Sequence, residues 1–478
     1  MVIMEPTAAQ PAGSCSGDDI RVMNPATGEA VGTVPRMTAS AVDDAVTTAA
    51  PSLPGWADRT GAERGRVLFG AAALVRAGQD DIARLLTREQ GKPLKESRNE
   101  IAGFARILEY YASISGQTGG EYGHSSQYGH AIVSRHPVGI CGAVIPWNMP
   151  AIIMGWKAGP ALAAGNALIL KPASTAPLTC IRLADCLHQA GLPPGILQVL
   201  TGPGEIVGEA IATHPEIRAV SFTGETATGR RVASLAAPLF KRVTLELGGS
   251  DPMIICRDAD LTAAATGAVA GRFYNCGQTC TAIKRVLVDE VVADDVIRKI
   301  SSAISSLKVG NGLTPGVDLG PLHSERQRDR LHSQVTRTVE GGYATLEQGG
   351  LPRSPDGPGE GHFYTPTLLT GVHPDAPVVQ EEVFGPVLPV ISFSSLDEAV
   401  TLANSTGYGL GASVWTHDSR IISRVCGEVK AGIVWVNQHL KIPPEVPFGG
   451  TRMSGTGREN GRNALDQYLE EKTILIRP

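Results

Sequence analysis

Three polar side chains in this sequence could together perform nucleophilic chemistry on a carbonyl group. Cys280 follows the small residues Gly277-Gln-Thr, and we expect this turn to precede or open a helix whose N–H groups would favour the thiolate. Glu246 ends a predicted strand between two leucines, where desolvation would raise its pKa and suit it to general-base work. Asn148 stands beside Trp147 between two prolines, and its amide could donate to an oxyanion.

Each of the three has an ordinary structural alternative. A single cysteine is most often a small core side chain, which is how we interpret Cys276. A glutamate at the end of a strand is most often exposed, and an asparagine next to prolines most often forms a turn. Taken singly, these residues do not decide between structure and catalysis.

Two glycine-rich turns could hold a phosphate group. Gly224 follows the predicted strand Ala219–Phe222 and precedes Gly229 by five positions. A helix that begins there would offer free backbone N–H groups to an anion. The other turn contains Gly204 and Gly208, which are four positions apart where the usual dinucleotide fingerprint has three. A turn without a ligand remains the alternative for each.

The composition is that of an ordered protein with a large core. Apolar residues make up 42% of the 478 residues and charged residues 19%, and the mean hydropathy is 0.00. Lys and Arg number 42 against 47 Asp and Glu, so the net charge is −5. This balance argues against a nucleic-acid partner.

Cysteine and histidine usage indicates neither a disulfide scaffold nor a metal site. Eight cysteines are too sparse for the first, and neither they nor the 11 histidines show ligand spacing for the second. We predict reduced thiols and, because the first twenty residues lack signal-peptide features, a cytoplasmic location. Lys157 and several glycines interrupt the apolar stretch Ala151–Leu170, which predicts a buried helix, a turn and a strand instead of a membrane span.

Hydrophobic periodicity predicts an α/β fold with a mostly parallel sheet. Helical spacing marks Ala39–Ala50, Arg64–Ala77 and Asp80–Gln90. Strands and helices alternate after residue 138, and a second α/β region runs from about Ile254 to about Val436. The predicted strands are Gly139–Ile145, Ala167–Leu170, Leu197–Leu200, Ala219–Phe222, Val243–Glu246, Arg285–Val288, Val387–Ile391 and Ile433–Val436, with two isolated ones at Ala131–Arg135 and Lys472–Ile476.

Seven motifs, in order along nearly the whole chain, resemble those of the aldehyde dehydrogenase superfamily. Cys280 follows Glu246 by 34 positions, as part of that order. The motifs are Pro146-Trp-Asn-Met-Pro150, Leu170-Lys-Pro-Ala-Ser174, Phe222-Thr-Gly224 with Gly229, Leu245-Glu-Leu-Gly-Gly249, Gly277-Gln-Thr-Cys280, Glu381-Glu-Val-Phe-Gly-Pro386, and Pro447-Phe-Gly-Gly450 with Ser454-Gly-Thr-Gly-Arg-Glu459.

The resemblance implies an aldehyde dehydrogenase-like fold: a Rossmann-type cofactor domain, an α/β catalytic domain and a small β oligomerisation element. It implies a homodimer or homotetramer. The expected ranges are 1–19 for a flexible N-terminal tail, 20–115 and 139–249 for the NAD(P)-binding domain, 250–453 for the catalytic domain, and 116–138 and 463–478 for the oligomerisation strands.

The resemblance also implies a reaction, the oxidation of an aldehyde to a carboxylic acid with NAD or NADP. The Cys280 thiolate would attack the aldehyde carbon, while Asn148 and the Cys280 N–H would hold the oxyanion of the thiohemiacetal. Hydride transfer to the nicotinamide would leave a thioester, which Glu246 would help water to hydrolyse. The alternatives are a CoA-acylating enzyme, which Glu246 argues against, and a catalytically silent binding protein.

A further set of residues would contact the cofactor by the same resemblance, with Lys171 and Glu382 on ribose hydroxyls. Ser174 replaces a glutamate common in NAD-preferring members and would not repel a 2′-phosphate, so NADP remains an alternative to NAD. Glu225 replaces the usual serine of the phosphate turn, where a carboxylate is unfavourable unless it points away. The set is Ile145, Pro146, Trp147, Lys171, Ser174, Gly204, Phe222, Thr223, Gly224, Glu225, Gly229, Leu247, Glu382 and Phe384.

Eight residues are expected to line the aldehyde tunnel by their position in the family, with core packing as the alternative. They are Met149, Ile153, Trp156, Thr279, Thr281, Leu440, Ile442 and Phe448. None is Arg or Lys, and Trp156 stands where succinate-semialdehyde enzymes commonly carry an arginine. We therefore expect an uncharged aliphatic or aromatic aldehyde. Semialdehydes are less compatible, and amino- or betaine aldehydes are alternatives because Trp156 could contact a cation.

Overall fold

Helices and strands alternate along most of the chain in the computed structural model, which describes residues 2–3, 15, 19–353 and 361–477. The helices α1 to α14 are Ser40–Ala57, Gly61–Ala77, Gln79–Gln90, Leu94–Ile114, Pro150–Ala163, Leu178–Gln189, Glu209–Thr213, Thr226–Ala236, Leu261–Phe273, Ala293–Ser305, Glu325–Glu340, Pro377–Gln380, Leu396–Ala403 and Ser419–Glu428. The strands β1 to β19 are Val2–Ile3, Ile20–Met23, Ala30–Val34, Glu121–Ser125, Gly129–Pro137, Ile140–Val144, Ala167–Lys171, Leu197–Val199, Ile217–Thr223, Arg242–Glu246, Asp251–Ile255, Ile283–Asp289, Thr345–Gln348, Thr367–Thr370, Val387–Phe393, Gly411–Trp415, Ile433–Val436, Gly455–Thr456 and Leu469–Ile476.

The first large sheet has the strand order of a doubly wound nucleotide-binding fold. Its order is β18-β10-β9-β6-β7-β8, and every pair is parallel except the one with β18. The chain enters at β6, continues outward through β7 and β8, and returns to β9 on the other side of β6. The connections therefore reverse between β6 and β9, and the crevice at the carboxyl ends of such strands is where these sheets bind ligands.

The second large sheet forms the other α/β region that the sequence predicts. Its order is β13-β14-β15-β12-β11-β16-β17, and all pairs are parallel except that of the edge strand β13. A separate buried cluster of apolar side chains accompanies each large sheet. Cys280 packs against the first cluster although it precedes a strand of the second sheet, so it lies where the two meet.

The predicted elements are confirmed, with strand ends that differ by up to three residues. The largest helical difference is in α1, which continues past Pro51 and Pro54 instead of ending at Ala50. Trp56 in its last turn is fully buried, and this packing holds the helix together where two backbone donors are missing.

The two strands that the sequence predicts as isolated pair with each other. β19 pairs antiparallel with β5, with Lys472 opposite Ser134, and β4 completes a three-stranded sheet. Large apolar side chains on β19 stay exposed, Leu475 by 66%. An exposed apolar edge strand of this length is typical of a surface that another chain covers.

The apolar stretch Ala151–Leu170 divides as predicted into the buried helix α5, a turn at Gly165 and the strand β7. Within the described residues, no helix is long and apolar enough to span a bilayer. Of the predicted tail 1–19, β1 pairs parallel with β3, and most of the remainder lies outside the described residues.

Candidate active site

Cys280 lies in a loop that joins helix α9 to β12, the central strand of the second sheet. A 3₁₀ turn, Tyr274–Gly277, ends the helix, and residues 278–282 form the loop. The prediction that this turn precedes or opens a helix is therefore wrong. Asn275 and Cys276 adopt left-handed backbone conformations, with φ of 51° and 58°, which turn the chain towards the strand before the nucleophile is reached.

The Cys280 thiol consequently lacks the helix N-terminus that was expected to favour its thiolate. The thiol is partly exposed, yet it lies deep enough that burial raises its pKa to about 12. The Lys284 ammonium is the main charge that opposes this rise. Its Nζ donates to the backbone oxygens of Thr279 at 3.0 Å and Cys280 at 3.3 Å. Cys276 lies in the second core, which agrees with its structural interpretation.

Asn148 is fixed against the nucleophile loop. Its Nδ2 donates to the Gln278 oxygen at 3.0 Å, and its own backbone oxygen accepts from Lys92 Nζ at 2.6 Å and from Asn275 Nδ2 at 2.9 Å. The second hydrogen of Nδ2 forms no bond with the described residues. This amide can therefore donate to an oxygen that arrives beside the Cys280 thiol.

Glu246 is a buried carboxylate without a side-chain partner. It is 2% exposed, and within the described part of the chain no side chain forms a hydrogen bond or ion pair with its oxygens. Burial, and next the charge of Glu459, raises its pKa well above the usual range, while Lys157 and the backbone N–H of Gly450 oppose the rise. Lys157 is itself engaged, because it forms an ion pair with Glu459, whose same oxygen accepts from Ser221 Oγ at 2.7 Å. The exposed alternative for Glu246 is excluded.

Three glycines of the motifs leave room for groups of the site, namely the carboxylates of Glu246 and Glu382 and the backbone oxygen of Cys280. A Cβ on Gly449 would lie 2.5 Å from Glu246 Oε1, and one on Gly248 would lie 2.4 Å from Glu382 Oε2. A Cβ on Gly249 would lie 2.9 Å from the backbone oxygen of Cys280. Side chains at these three positions would displace the groups that the site brings together.

The residues present fit a dinucleotide at the carboxyl ends of the first sheet. Lys171, at the end of β7, is 3% exposed, and its Nζ donates to the Pro172 oxygen at 2.9 Å but to no carboxylate. Burial lowers its pKa to about 8. Glu382 Oε1 accepts from Gly249 N at 3.1 Å and from Lys284 Nζ at 3.4 Å. A buried donor and a partly exposed acceptor of this kind suit ribose hydroxyls.

The phosphate turn after β9 keeps its carboxylate away from the helix N-terminus. Glu225 stands at the N-cap of α8 without capping it, and its carboxylate pairs instead with Arg330 of α11 at 3.1 Å. The first-turn N–H groups of α8 therefore keep the character of an anion site. Gly224 N donates to the backbone oxygen of Glu246 at 3.0 Å, and Gly229 lets α8 approach Leu247, since a Cβ there would lie 2.4 Å from that side chain.

The loop after β6 places aromatic rings beside this crevice. Trp147 stacks on His323 with ring centres 4.3 Å apart, and it meets Phe384 edge-on at 5.7 Å. Burial lowers the pKa of His323 to about 4, so this ring is neutral. The other predicted cofactor residues lie along the same strand ends and turns, namely Ile145 and Pro146 after β6, Phe222 and Thr223 in β9, Ser174, whose Oγ donates to the Gly202 oxygen at 2.6 Å, and Gly204 at the start of a one-turn π-helix.

A cavity of about 920 Å³ opens above Cys280 and Asn148. Seven of the eight predicted tunnel residues line it, namely Met149, Ile153, Trp156, Thr279, Thr281, Leu440 and Ile442. Phe448 does not: its ring packs against Trp156 with centres 5.0 Å apart, and it is fully buried. Phe448 thus supports the wall instead of forming it.

Several residues of the site escape sequence-based prediction. Lys157 had a signal, since a single lysine in an apolar helix such as α5 demands a buried partner. Glu459 belongs to a quoted motif but its ion pair bridges distant segments. Nothing in the sequence marks Lys284 or His323, because each acts through residues that only the fold brings close.

The comparisons with known proteins agree with this geometry. The family model described as "Aldehyde dehydrogenase family" matches residues 13–474. Glutarate-semialdehyde dehydrogenase of Pseudomonas putida is 38% identical over 463 residues, which are 96% of this chain and 95% of that protein. Peroxisomal aminoaldehyde dehydrogenase 2 of Pisum sativum is 40% identical over 464 residues, 95% of this chain and 92% of that protein.

A solved structure shows the same fold. The NAD-dependent aldehyde dehydrogenase of Sinorhizobium meliloti superposes with a TM-score of 0.95 at 36% identity, covering 99% of this chain and 94% of that one. The match spans both large sheets and the terminal strand, so it includes the Cys280 loop and the Glu246 strand. This chain belongs to the aldehyde dehydrogenase family.

Proposed function

We propose that this chain oxidises an aldehyde to a carboxylic acid with NAD or NADP, using Cys280 as nucleophile and Glu246 as base. One observation carries the proposal. Glu246, a buried carboxylate without a side-chain partner among the described residues, is one of the charges that act on the thiol of Cys280, and Cys280 lines a large cavity. Two buried ionisable groups whose charges interact at a cavity are typical of a catalytic site.

In the first stage, the Cys280 thiol gives its proton to solvent, its Sγ forms a bond to the aldehyde carbon, and the carbonyl π bond opens so that negative charge develops on the aldehyde oxygen. Asn148 Nδ2 and the Cys280 N–H donate to that oxygen. The Lys284 ammonium stabilises the Cys280 thiolate, because its charge opposes the rise that burial causes in the pKa of the thiol. The nicotinamide, when bound, supplies the acceptor for the hydride. Trp147 and Phe384 keep water from this side of the site.

In the second stage, water replaces the thiol. Glu246 takes a proton from the water, whose oxygen bonds to the acyl carbon, and the carbon–sulfur bond breaks to release the acid and the Cys280 thiol. A raised pKa suits Glu246 to this proton transfer near neutral pH. Because water performs this step, a CoA-acylating reaction is the less favoured alternative.

The cofactor would bind along the carboxyl ends of β6, β7 and β9. Lys171 and Glu382 supply a donor and an acceptor for ribose hydroxyls, and the N-terminus of α8 supplies N–H groups for the pyrophosphate. Glu225 does not oppose the phosphates, since it pairs with Arg330. Ser174 leaves room for either NAD or NADP.

We also propose a cytoplasmic homodimer or homotetramer. The exposed apolar side chains of β19 support an interface through the three-stranded sheet. Leu475→Glu should lower the particle mass measured by light scattering after gel filtration. An unchanged mass would place the interface elsewhere.

The test of the proposed function is absorbance of reduced cofactor during incubation with an aldehyde panel, with NAD or NADP and without CoA. We expect reduction that requires the aldehyde, with formation of the free acid. Cofactor that binds but is not reduced with any aldehyde would contradict the proposal.

A further inference from the structure

The rim of the aldehyde cavity carries two cations that the eight predicted wall residues did not include. Arg106 of α4 and Lys441 of the loop after β17 both line the 920 Å³ cavity, and both also line a neighbouring cavity of about 600 Å³. Both side chains are exposed. Within the described residues, neither side chain forms a hydrogen bond or an ion pair. The substrate cavity therefore opens between two unpaired positive charges.

The other ionisable groups along the walls are already engaged or uncharged. Glu100 pairs with Lys92, and Asp260 accepts the N–H groups of Thr262 and Ala263, both at 3.0 Å, at the start of α9. Burial lowers the pKa of His439 to about 4, so its ring is neutral.

Two further acids, the exposed Glu445 and the half-buried Glu109, lie near Arg106 or Lys441. Glu445 lines only the outer, 600 Å³ cavity. Glu109 follows Arg106 by three positions, but both of its oxygens accept from Arg76 at 2.7 Å. Two cations, Arg106 and Lys441, and one exposed carboxylate, Asp260, therefore line the inner cavity, so the charge that faces an occupant is positive on balance.

Rigid elements hold Lys441 at a fixed height above the nucleophile. Trp435 Nε1 donates to the backbone oxygen of Lys441 at 2.8 Å, and the His439 ring bridges Ser413 Oγ and the backbone oxygen of Thr281. Thr281 follows Cys280 directly. Leu440 accepts a left-handed conformation, with φ of 62°, which a bulky residue keeps only where packing demands it.

The helix that carries Arg106 is also fixed relative to the active site. Glu100, on the same helix, accepts from Ala151 N at 2.8 Å and so ties α4 to the start of α5, directly after Asn148 and Met149. Six residues of helix rise separate Glu100 from Arg106, or about 9 Å. Arg106 thus lies along α4 from the segment that holds Asn148, and not directly beside the position of the aldehyde oxygen.

We propose that Arg106 and Lys441 select an aldehyde whose apolar chain ends in a carboxylate, which they bind at the rim while the carbonyl group lies at Cys280. This inference rests on the proposed oxidation and narrows its substrate class. It modifies the expectation of an uncharged substrate, which was based on the eight wall residues alone. The same cations disfavour amino- and betaine aldehydes, although Trp156 could contact a cation.

The experiment compares ω-oxocarboxylates of four to eight carbons with their methyl esters and with ω-aminoaldehydes of the same length. The ester keeps the chain and removes the charge. We expect one of the longer carboxylates to have a kcat/KM roughly three- to tenfold above its ester, through a lower KM at equal kcat. The difference should shrink at high salt, because the rim charges are exposed.

Arg106→Gln with Lys441→Gln should lower the kcat/KM of the acid to that of its ester, and Lys441→Glu should favour the aminoaldehyde. Lys430→Gln is the matched control, since Lys430 is an exposed cation remote from both cavities. Equal KM for acid and ester in the wild type, or a preference that survives the double substitution, would overturn this inference while the proposed oxidation stands. Failure of every aldehyde in the series would instead contradict the proposed oxidation itself.

Discussion

Buried glutamates in two regions of the molecule have opposite surroundings. At the junction of α3, α4 and α5, Glu89 accepts two N–H groups at 2.8 Å, and Glu100 accepts from Ala151 N and pairs with Lys92. Near the nucleophile, Glu246 has no side-chain partner for either oxygen among the described residues. Burying a carboxylate without a side-chain partner costs free energy, and close to a cysteine that lines a cavity this cost favours a chemical role, whereas the partnered acids hold helices together.

The largest expected loss of activity comes from removing Cys280, the nucleophile whose thioester Glu246 is proposed to help hydrolyse. Cys280→Ala should lower aldehyde oxidation by at least about 10³-fold while cofactor still binds, as measured by fluorescence titration. Cys426→Ala, at an exposed position, is the matched control and should keep full activity. Wild-type turnover in Cys280→Ala would move the nucleophile elsewhere.

Replacing Glu246 and Glu100 in turn by glutamine tests the comparison between the two kinds of buried carboxylate directly. Glu246→Gln should slow steady-state turnover by about 10²- to 10⁴-fold and keep an initial burst of reduced cofactor, because thioester hydrolysis suffers more than hydride transfer. Its free energy of unfolding should not fall. Glu100→Gln should lose about 3–5 kcal/mol in denaturant unfolding, because Lys92 stays buried without its partner. A stability loss in Glu246→Gln that matches Glu100→Gln would break the comparison.

The pKa of Glu246 adds a pH dependence to this contrast. Its folded pKa is raised, so the folded state holds this proton more tightly than the unfolded chain does. Its contribution to stability is full below the unfolded pKa, about 4.3, and is lost as the pH rises towards the folded value. The stability difference between wild type and Glu246→Gln should therefore shift against the wild type with rising pH. A difference independent of pH would contradict the raised pKa.

A smaller effect is expected at Lys284, the cation beside the thiol. Lys284→Met should slow alkylation of Cys280 by iodoacetamide roughly tenfold at neutral pH, with the rate recovering at higher pH. Lys284→Arg should restore much of the rate, which a purely structural role would not require. Peptide mass spectrometry identifies the alkylated cysteine. Equal alkylation rates for Lys284→Met and the wild type would show that Lys284 does not activate the Cys280 thiol.

A further effect of similar size is expected outside both groups of acids, at the cofactor's adenosine end. Ser174→Glu should shift the NAD/NADP ratio of kcat/KM towards NAD by roughly tenfold, because a carboxylate would repel a 2′-phosphate. Turnover at saturating NAD should not change. An unaltered ratio would exclude Ser174 as the selector.

Local patterns predicted the elements of this fold, while contacts between distant segments decided the site. Alternating strands and helices predicted the fold, and the order of the motifs singled out Cys280 and Glu246, whose roles as nucleophile and base stay predictions. The turn at Gly277-Gln-Thr has the local signals of a helix start, but the left-handed Asn275 and Cys276 direct it into β12. Neighbours in sequence could not reveal this.

The sequence also could not predict that Glu246 lacks a side-chain partner, or that two cations lie at the rim of the cavity. The groups around Glu246 come from α5 and from residues near Gly449 and Glu459. Arg106 and Lys441 lie on elements more than three hundred positions apart. Phe448 was placed in the tunnel by position alone, and the packing of Trp156 puts it behind the wall.

The most direct test of the central claim is to trap the acyl group. Glu246→Gln is mixed with aldehyde and cofactor, quenched in acid, and digested for peptide mass spectrometry. We predict that the peptide containing Cys280 gains the mass of the acyl group, and that Cys280 carries it. A Cys280 peptide of unchanged mass after a full burst of reduced cofactor, or an acyl group on another residue, would contradict the assignment of nucleophile and base.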